Sequence, residues 1–497
     1  MGWPITLTAF LPEWAVAVLF VLELAVRVLM LGIIPGNRRP TTAMAWLLLI
    51  FFVPLPGIIL FLLFGTYKLS NRRREAQQII NDYLRENTEH LKLPDEASNV
   101  DKRWLTAVHL NHDLTGFPML DGNELEFITD YRAVLKRIAE DIDNAKEYVN
   151  IEFYILGWDE EVAKPVYESM AAAAERGVKV RLLFDHLGTM RTSGYRTLLR
   201  YLNGTKIHVR KALPLQPLRG LWRRFDLRNH RKIVVIDGDI GYTGSQNLIE
   251  PGYNRAKSHK MGREWVEIMA RCTGPIVSGL NVAFASDWLM ESDASLEEDL
   301  RKVPPAEVQP HGGGGVATQV VPSGPGYATE NNLRLFNTLI YAAQERVRIV
   351  TPYFVPDDTL LYAVTIAVQQ GVEVELFVSE QSDQMMVSHA QQSYYQALLE
   401  AGVNIYRYPV PDILHAKILT VDGEVSVFGS SNMDMRSFSL NLEISVMALG
   451  ETITGELDKI IDSYKAESPK LSLDEWENRS PRTKWLDNVF RLTATIQ

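Results

Sequence analysis

One pattern occurs twice in this chain, and it limits the possible architecture more than any other feature. Asn229-His230-Arg231-Lys232 with Asp237, Gly244-Ser245 and Asn247 is matched by Leu414-His415-Ala416-Lys417 with Asp422, Gly429-Ser430 and Asn432. Both copies read H-x-K-x4-D-x6-G-S-x-N, so six positions recur at fixed spacing. That is far more specific than any single short motif. The apolar, β-branched runs Ile233–Ile236 and Ile418–Val421 end at Asp-Gly, the pattern of buried strands closing in a turn. Alternation along such strands puts His230 and Lys232 on one face, and His415 and Lys417 likewise. The segments 240–243 and 425–428 read as return strands that deliver Gly-Ser-x-Asn to the same mouth.

The residue types point to chemistry at phosphorus. An imidazole serves as nucleophile or general acid/base near neutral pH, and an ammonium with hydroxyl and amide donors holds phosphate oxygens. His230, Lys232, His415 and Lys417 are the catalytic candidates, with Ser245, Asn247, Ser430 and Asn432 as phosphate-binding candidates. A lone strand histidine is more often a satisfied core residue, but two in identical settings are poorly explained that way. No pair of Cys or His residues has zinc-site spacing, and no acidic cluster of magnesium-site character accompanies the motifs. Phosphoryl transfer without a metal or other cofactor is therefore expected.

The duplication extends beyond the motifs. Asn150-Ile151-Glu152-Phe153-Tyr154 is matched by Arg348-Ile349-Val350-Thr351-Pro352-Tyr353, and Gly177-Val178-Lys179-Val180 by Gly371-Val372-Glu373-Val374. Each half reads helix, strand, helix, strand and then the catalytic hairpin, an α/β layout with a mixed, largely parallel sheet. A pseudo-twofold axis would run through the active site. The expected boundaries are two transmembrane helices in 1–69, a juxtamembrane linker in 70–115, a first half in 116–296 and a linker in 297–315. A second half with a C-terminal tail fills 316–497. The glycines of 312–315, after the acidic, proline-bearing stretch 297–310, form the natural joint. The chain's 497 residues, 46% of them hydrophobic, suffice for these cores. The lone Cys272 excludes an internal disulfide and reads as a small core residue.

The first seventy residues set the substrate class. The segment 43–64 carries no charge, reaches the roughly 20 residues needed to cross a bilayer, and contains Pro54, Pro56 and Gly57, which would kink it. The segment 14–34 is a second candidate, interrupted by Glu23 and Arg27, which an i, i+4 spacing lets neutralise each other. A retained two-helix hairpin is expected in place of a cleaved signal peptide, because a basic n-region and a clear cleavage site are missing. Lys68 and Arg72 to Arg74 follow the second span, against Arg38 and Arg39 in the turn. The positive-inside rule then places both termini and the catalytic region in the cytoplasm of a multi-pass membrane protein.

A net charge of -10 argues against a nucleic-acid partner. Even so, Lys211, Arg219, Arg223, Arg224, Arg228 and Arg231 are interleaved with Leu218, Leu221, Trp222 and Phe225 around the first motif. This is either an interface for anionic membrane lipid or a solvated basic loop. Trp476, Trp485, Phe490 and Arg491 near the C-terminus could also touch the membrane or pack as a terminal helix.

The paired motifs resemble the HKD motifs of the phospholipase D superfamily. The resemblance implies two pseudo-symmetric phospholipase D-like domains whose histidines face one phosphate. One histidine, taken as His230, forms a covalent phosphohistidine, while the other protonates the leaving alcohol and then deprotonates the incoming one. It further implies that Lys232, Lys417, Asn247 and Asn432 hold transition-state charge. Asp237 and Asp422 belong to the motif as structural partners at the strand end. An acid downstream of each motif would orient its histidine, here Glu267, with Glu264 as a nearby competitor, and Glu443. Within the superfamily the chain resembles bacterial cardiolipin synthases over nearly its whole length, through Arg38-Arg39-Pro40, Pro322-Ser323-Gly324-Pro325, Thr351-Pro352-Tyr353-Phe354 and Ser431-Asn432-Met433-Asp434. That implies a membrane phosphatidyltransferase of phospholipid biosynthesis in the bacterial cell membrane. It would make cardiolipin and glycerol from two phosphatidylglycerol molecules. The alternatives are a lipid hydrolase or a transferase with another alcohol acceptor; a nuclease or a non-catalytic scaffold fits the residues less well.

Overall fold

The computed structural model describes residues 12–36, 38, 40–65, 71–88, 100–214, 226–291, 315–327 and 330–494. The chain divides into two compact units, Met1–Lys68 and Leu69–Gln497.

In the first unit, Glu13–Ile33 is one apolar helix of 21 residues with none buried. At about 1.5 Å per residue it spans roughly the 30 Å hydrocarbon thickness of a bilayer. Glu23 and Arg27 pair along it at 2.5 Å. The second apolar stretch is not a single span. It breaks at Val53 into Pro40–Phe52 and Pro54–Phe64, of 13 and 11 residues, with Pro54 opening the second helix. These helices fold back on one another. Trp46 and Phe61 meet edge to face at 5.5 Å, and Arg38 reaches the Gly65 carbonyl with Nη2 at 2.8 Å, so the two ends of the stretch lie together. Gly57 permits the approach, since a Cβ there would stand 2.9 Å from Ile50 Cα. Where one second transmembrane helix is expected, the chain forms two short helices folded back on one another, each shorter than the roughly 20 residues of a single span.

The second unit is built on strands that, in chain order, begin with β1 (Met119–Ile128), β2 (Tyr148–Phe153), β3 (Lys179–Asp185) and β4 (His208–Ala212). Then come β5 (Arg228–Asn229), β6 (Ile233–Ile236), β7 (Ile240–Gly244), β8 (Trp265–Val266) and β9 (Met269–Thr273). The same series recurs as β10 (Val316–Ser323), β11 (Arg346–Val350), β12 (Phe354–Val355), β13 (Glu373–Ser379) and β14 (Asn404–Tyr408). It closes with β15 (Ile413–Leu414), β16 (Ile418–Val421), β17 (Val425–Gly429), β18 (Met433–Asp434) and β19 (Asn441–Leu449).

One sheet runs β14-β13-β11-β16-β17-β19-β10-β1-β9-β7-β6-β2-β3-β4. Its order reads the same from either edge, with the antiparallel β1–β10 pair at the pseudo-twofold centre. Parallel pairing on this path is confined to β2-β3-β4 and β11-β13-β14. The expectation of a largely parallel sheet is therefore corrected: each catalytic hairpin and its return strand insert antiparallel next to the parallel edge.

The expected linker in 70–115 is also corrected. Helix Lys102–Thr115 is capped by Asp101 and sets Trp104, Ala107 and Val108 on one face. That stripe sits in the core of the second half with Leu333, Phe336 and Leu339. Ile80 and Leu84 of helix Asn71–Thr88 join the core beneath the central strands. Most of the linker expected in 297–315 lies outside the described residues, as do Arg219, Arg223 and Arg224 with their apolar neighbours. Cys272 is fully buried in β9.

Candidate active site

The two aspartates that end the motifs stand at the strand ends remote from the histidines. Asp237 and Asp422 take left-handed turn conformations, with φ of 54° and 52°. Asp237 accepts from the amides of Lys146, Glu147 and Tyr148, and Asp422 from those of Gln344, Glu345 and Arg346. Each carboxylate thereby fastens the start of the adjoining strand, β2 or β11, to its hairpin. Arg103 adds a 2.8 Å ion pair to Asp422.

At the other end, the motif glycines let neighbouring strands touch. A Cβ on Gly244 would stand 2.3 Å from the Ile268 carbonyl oxygen, and one on Gly429 2.4 Å from that of Ile444. The serines after them are bonded within the fold. Ser245 Oγ, fully buried, accepts from the Ile268 amide at 2.9 Å, and Ser430 Oγ donates to Glu443 at 2.6 Å. These bonds brace the return strand and, in the second half, its glutamate.

The histidines arrive by an exchange between halves. β5 lies parallel along the start of β19, and the His230 amide donates to the Leu442 carbonyl at 2.8 Å. β15 lies parallel along β8, and the His415 amide donates to Val266 at 2.8 Å. In consequence each ring meets the glutamate of the opposite half. His230 Nδ1 is 2.8 Å from Glu443, and His415 Nδ1 is 2.7 Å from Glu267. The expectation that each downstream acid serves its own motif's histidine is corrected by this crossing. Glu264, the competitor of Glu267, instead forms an exposed pair with Arg132 at 2.7 Å.

Each carboxylate, accepting from Nδ1–H, leaves the Nε2 lone pair directed elsewhere. Burial pushes both carboxyls up, but the facing histidine and the nearby lysines outweigh it and hold them below the ordinary range. Burial likewise lowers both imidazoles, His230 to about 4, against the pull of their glutamates. Lys232 and Lys417 are buried behind the histidines, each donating to its own histidine's carbonyl. Burial lowers them to about 7 and about 8.

His230 and His415 line one open cavity of about 600 Å³ with Asn247 and Asn432. Asn247 is fixed by the Ile155 amide and the Tyr253 hydroxyl, while Asn432 Oδ1 has no partner among the described residues. Arg255 and Arg436 stand on the cavity walls, paired to Asp383 and to the Asp226 carbonyl at 3.1 Å each. Arg228 also lines it, buried against Asp185, and Arg231 is buried against Asp287. These two arginines are internal pairs, not part of a basic surface loop.

The sequence reading missed several partners. Tyr253 donates to Glu267 at 2.9 Å, and Ser437 and Asn441 donate to Glu443 at 3.0 and 3.2 Å. Tyr154 packs against His230 at 4.8 Å and Tyr353 against His415 at 6.5 Å. The recurrence of those two tyrosines at one place in the repeat was the available signal. At the C-terminus, Trp476 is buried against Tyr395 and Phe490 stacks on His389, whereas Trp485 is 63% exposed.

Comparison with known proteins agrees with this geometry. The family described as "Cardiolipin synthase, PLD-like domain" matches residues 138–288 and 336–465, and "Phospholipase_D-nuclease N-terminal" matches 24–65. Cardiolipin synthase A of Serratia proteamaculans (strain 568) is 35% identical over 93% of this chain and 94% of its own length. Cardiolipin synthase A of Yersinia pseudotuberculosis serotype IB (strain PB1/+) is 36% identical over 90% and 91%. Among solved structures, the phosphatidylserine synthase of Haemophilus influenzae Rd KW20 superposes with a TM-score of 0.61 at 16% identity. It covers 79% of this chain and all of its own, which establishes a shared fold. Two crossed histidine–glutamate pairs in a duplicated sheet, and relatives aligned nearly end to end, lead to one assignment: the chain belongs to the cardiolipin synthase family of phospholipase D-like enzymes.

Proposed function

We propose that this enzyme transfers a phosphatidyl group from one phosphatidylglycerol to the glycerol hydroxyl of a second, yielding cardiolipin and free glycerol. The observation that carries the reading is that both histidines, each backed by a buried glutamate, open onto a single cavity. Neutral His230 attacks phosphorus through Nε2, the P–O bond to glycerol breaks, and His415 supplies the proton to the leaving oxygen. The second phosphatidylglycerol then loses its hydroxyl proton to His415 as its oxygen displaces His230. Lys232, Lys417, Asn247 and Asn432 stabilise the added charge. A lipid substrate suits the mouth, where Met386 and Arg191 line the opening and Met190, Met385 and Met386 are 42%, 66% and 43% exposed.

The same reading makes the enzyme integral to the membrane through Glu13–Ile33, with the two short helices seated as a re-entrant pair in one leaflet. No Lys or Arg precedes that helix, whereas Arg38, Arg39, Lys68 and Arg72 to Arg74 follow it. With one crossing in place of two, the positive-inside rule still puts the catalytic unit in the cytoplasm but moves the N-terminus to the opposite side.

Two expected results test these assignments. The arrangement needs charged lysines and a neutral nucleophile, so kcat/KM should fall as pH rises through about 7 to 8, where Lys232 and Lys417 lose their protons. A bound phosphodiester anion favours the ammonium forms, so the same limb in kcat should lie at higher pH. A kcat/KM that climbs steadily from pH 7 to 9 would contradict the role of the lysines. Separately, deleting the residues before Asn71 keeps the core helix Asn71–Thr88 and removes only the apolar unit. That protein should melt cooperatively and turn over phosphatidylglycerol in micelles. On intact vesicles it should lose most activity, because anchoring raises the effective lipid concentration. Inactivity in micelles despite a cooperative melt would show that the apolar unit contributes to the site.

A further inference from the structure

The two His-x-Lys segments are held differently. Around His230, Asp287 Oδ2 receives Arg231 Nη1 at 2.8 Å and Asn229 Nδ2 at 3.1 Å, so one carboxylate grips the residues on both sides of the histidine. Asn229 closes the turn by accepting from the Arg231 amide at 3.1 Å. Arg231 Nε then donates to the backbone carbonyl of Glu443 at 3.0 Å, the residue whose carboxylate meets His230. The circuit is closed: ring to Glu443 side chain, Glu443 backbone to Arg231, Arg231 to Asp287, Asp287 to Asn229, and Asn229 back to His230. Asn229, Arg231 and Asp287 are all at most 3% exposed. Glu152 also accepts from Asn229. Burial and the adjacent Asp287 push the Glu152 carboxyl well above its ordinary range.

The second half lacks this circuit. Leu414 and Ala416 flank His415, both fully buried, and Ala416 has no side chain that could reach the Glu267 carbonyl. Val350 takes the place of Glu152, at the same strand register. Asn281 faces Asn150 as Asp458 faces Arg348, and counting along the two helices from that match puts Tyr464 in the place of Asp287. The halves share the catalytic atoms but only one clamp.

We infer that Asp287 is a positioning residue, acting through Asn229 and Arg231 to hold His230, the nucleophile of the proposed transfer, rigidly against Glu443, a support that His415 does not share. A nucleophile must keep its lone pair on the in-line trajectory in both displacements, and small misplacements there slow reaction strongly. A proton-transfer group tolerates more rotation.

The inference rests on the proposed phosphatidyl transfer, and the test separates the two. Removing Asp287 alone would strand a buried arginine, so the variant is Arg231→Met with Asp287→Leu in the full-length protein, an apolar exchange of the kind buried ion pairs often tolerate. The matched control is Arg348→Met with Glu375→Leu, which removes a buried pair at 2.8 Å from the second half. In detergent with phosphatidylglycerol, the first variant should retain a cooperative melt, lose at least about tenfold in kcat and change KM by less than about threefold. Rapid-quench detection of phosphohistidine should show its formation slowed by the same factor, with the control within about twofold of wild type. A folded variant that forms phosphohistidine at the wild-type rate overturns the inference, as does an equal loss in the control. If the apolar pair fails to fold, Arg231→Lys, too short to bridge Asp287 and the Glu443 carbonyl, should show the same kcat loss; wild-type kcat there also overturns it. A wild-type enzyme that forms no phosphohistidine would instead sink the function reading itself.

Discussion

His230→Ala and His415→Ala are each expected to lower turnover by at least about 10³-fold, and the double variant to be scarcely worse than either single one. The reason is geometric. Both rings open onto one cavity, and each step of the transfer needs one as nucleophile or leaving group and the other as proton carrier. Losing either ends the cycle, so their effects cannot multiply. Initial rates of glycerol release from phosphatidylglycerol, with melting curves to confirm folding, measure this. Half activity in either single variant would mean two independent sites and would refute the shared cavity as the reaction centre.

Glu443→Gln and Glu267→Gln should each cost about 10² to 10⁴-fold, the scale on which an amide replacing the carboxylate behind an imidazole slows catalysis. The crossed pairing makes their consequences distinguishable. Glu443 lies behind His230 and Glu267 behind His415. A phosphatidyl donor with a nitrophenol leaving group needs no proton for departure, so it should restore phosphohistidine formation in Glu267→Gln but not in Glu443→Gln. Given the crossed pairs, the opposite rescue would mean that His415 forms the phosphohistidine and His230 moves the protons. Both glutamates are fully buried, so melting curves must accompany the rates.

Much of the local structure was legible because it depends on neighbours in sequence. Strands β6 and β16 begin and end where the β-branched runs and Asp-Gly turns place them. The catalytic hairpins follow from the same signal. What was not legible depends on partners far along the chain. The crossed glutamates arise because β5 pairs with β19 and β15 with β8, contacts between segments well over a hundred residues apart that leave no trace in local periodicity. The antiparallel majority of the sheet follows from where the hairpins insert, which strand propensity does not encode. Helix Lys102–Thr115 looked like a connector, since the surface that covers Trp104 and Val108 comes from Leu333 to Leu339. In the apolar unit, hydropathy measures how much surface must avoid water but not whether the chain crosses or doubles back. Pro54 and Gly57 marked the break, and the ring contact of Trp46 with Phe61 shows its direction.

The central claim is that a phosphatidyl group passes through one histidine to a second lipid. The direct measurement is incubation of the purified full-length enzyme in detergent with phosphatidylglycerol as the sole lipid, followed by analysis of both lipid and water-soluble products. The account predicts cardiolipin and free glycerol in equal molar amounts, with both lost in His230→Ala. Phosphatidic acid with glycerol and no cardiolipin would show that water resolves the intermediate, contradicting the assignment as a phosphatidyltransferase that uses phosphatidylglycerol as acceptor.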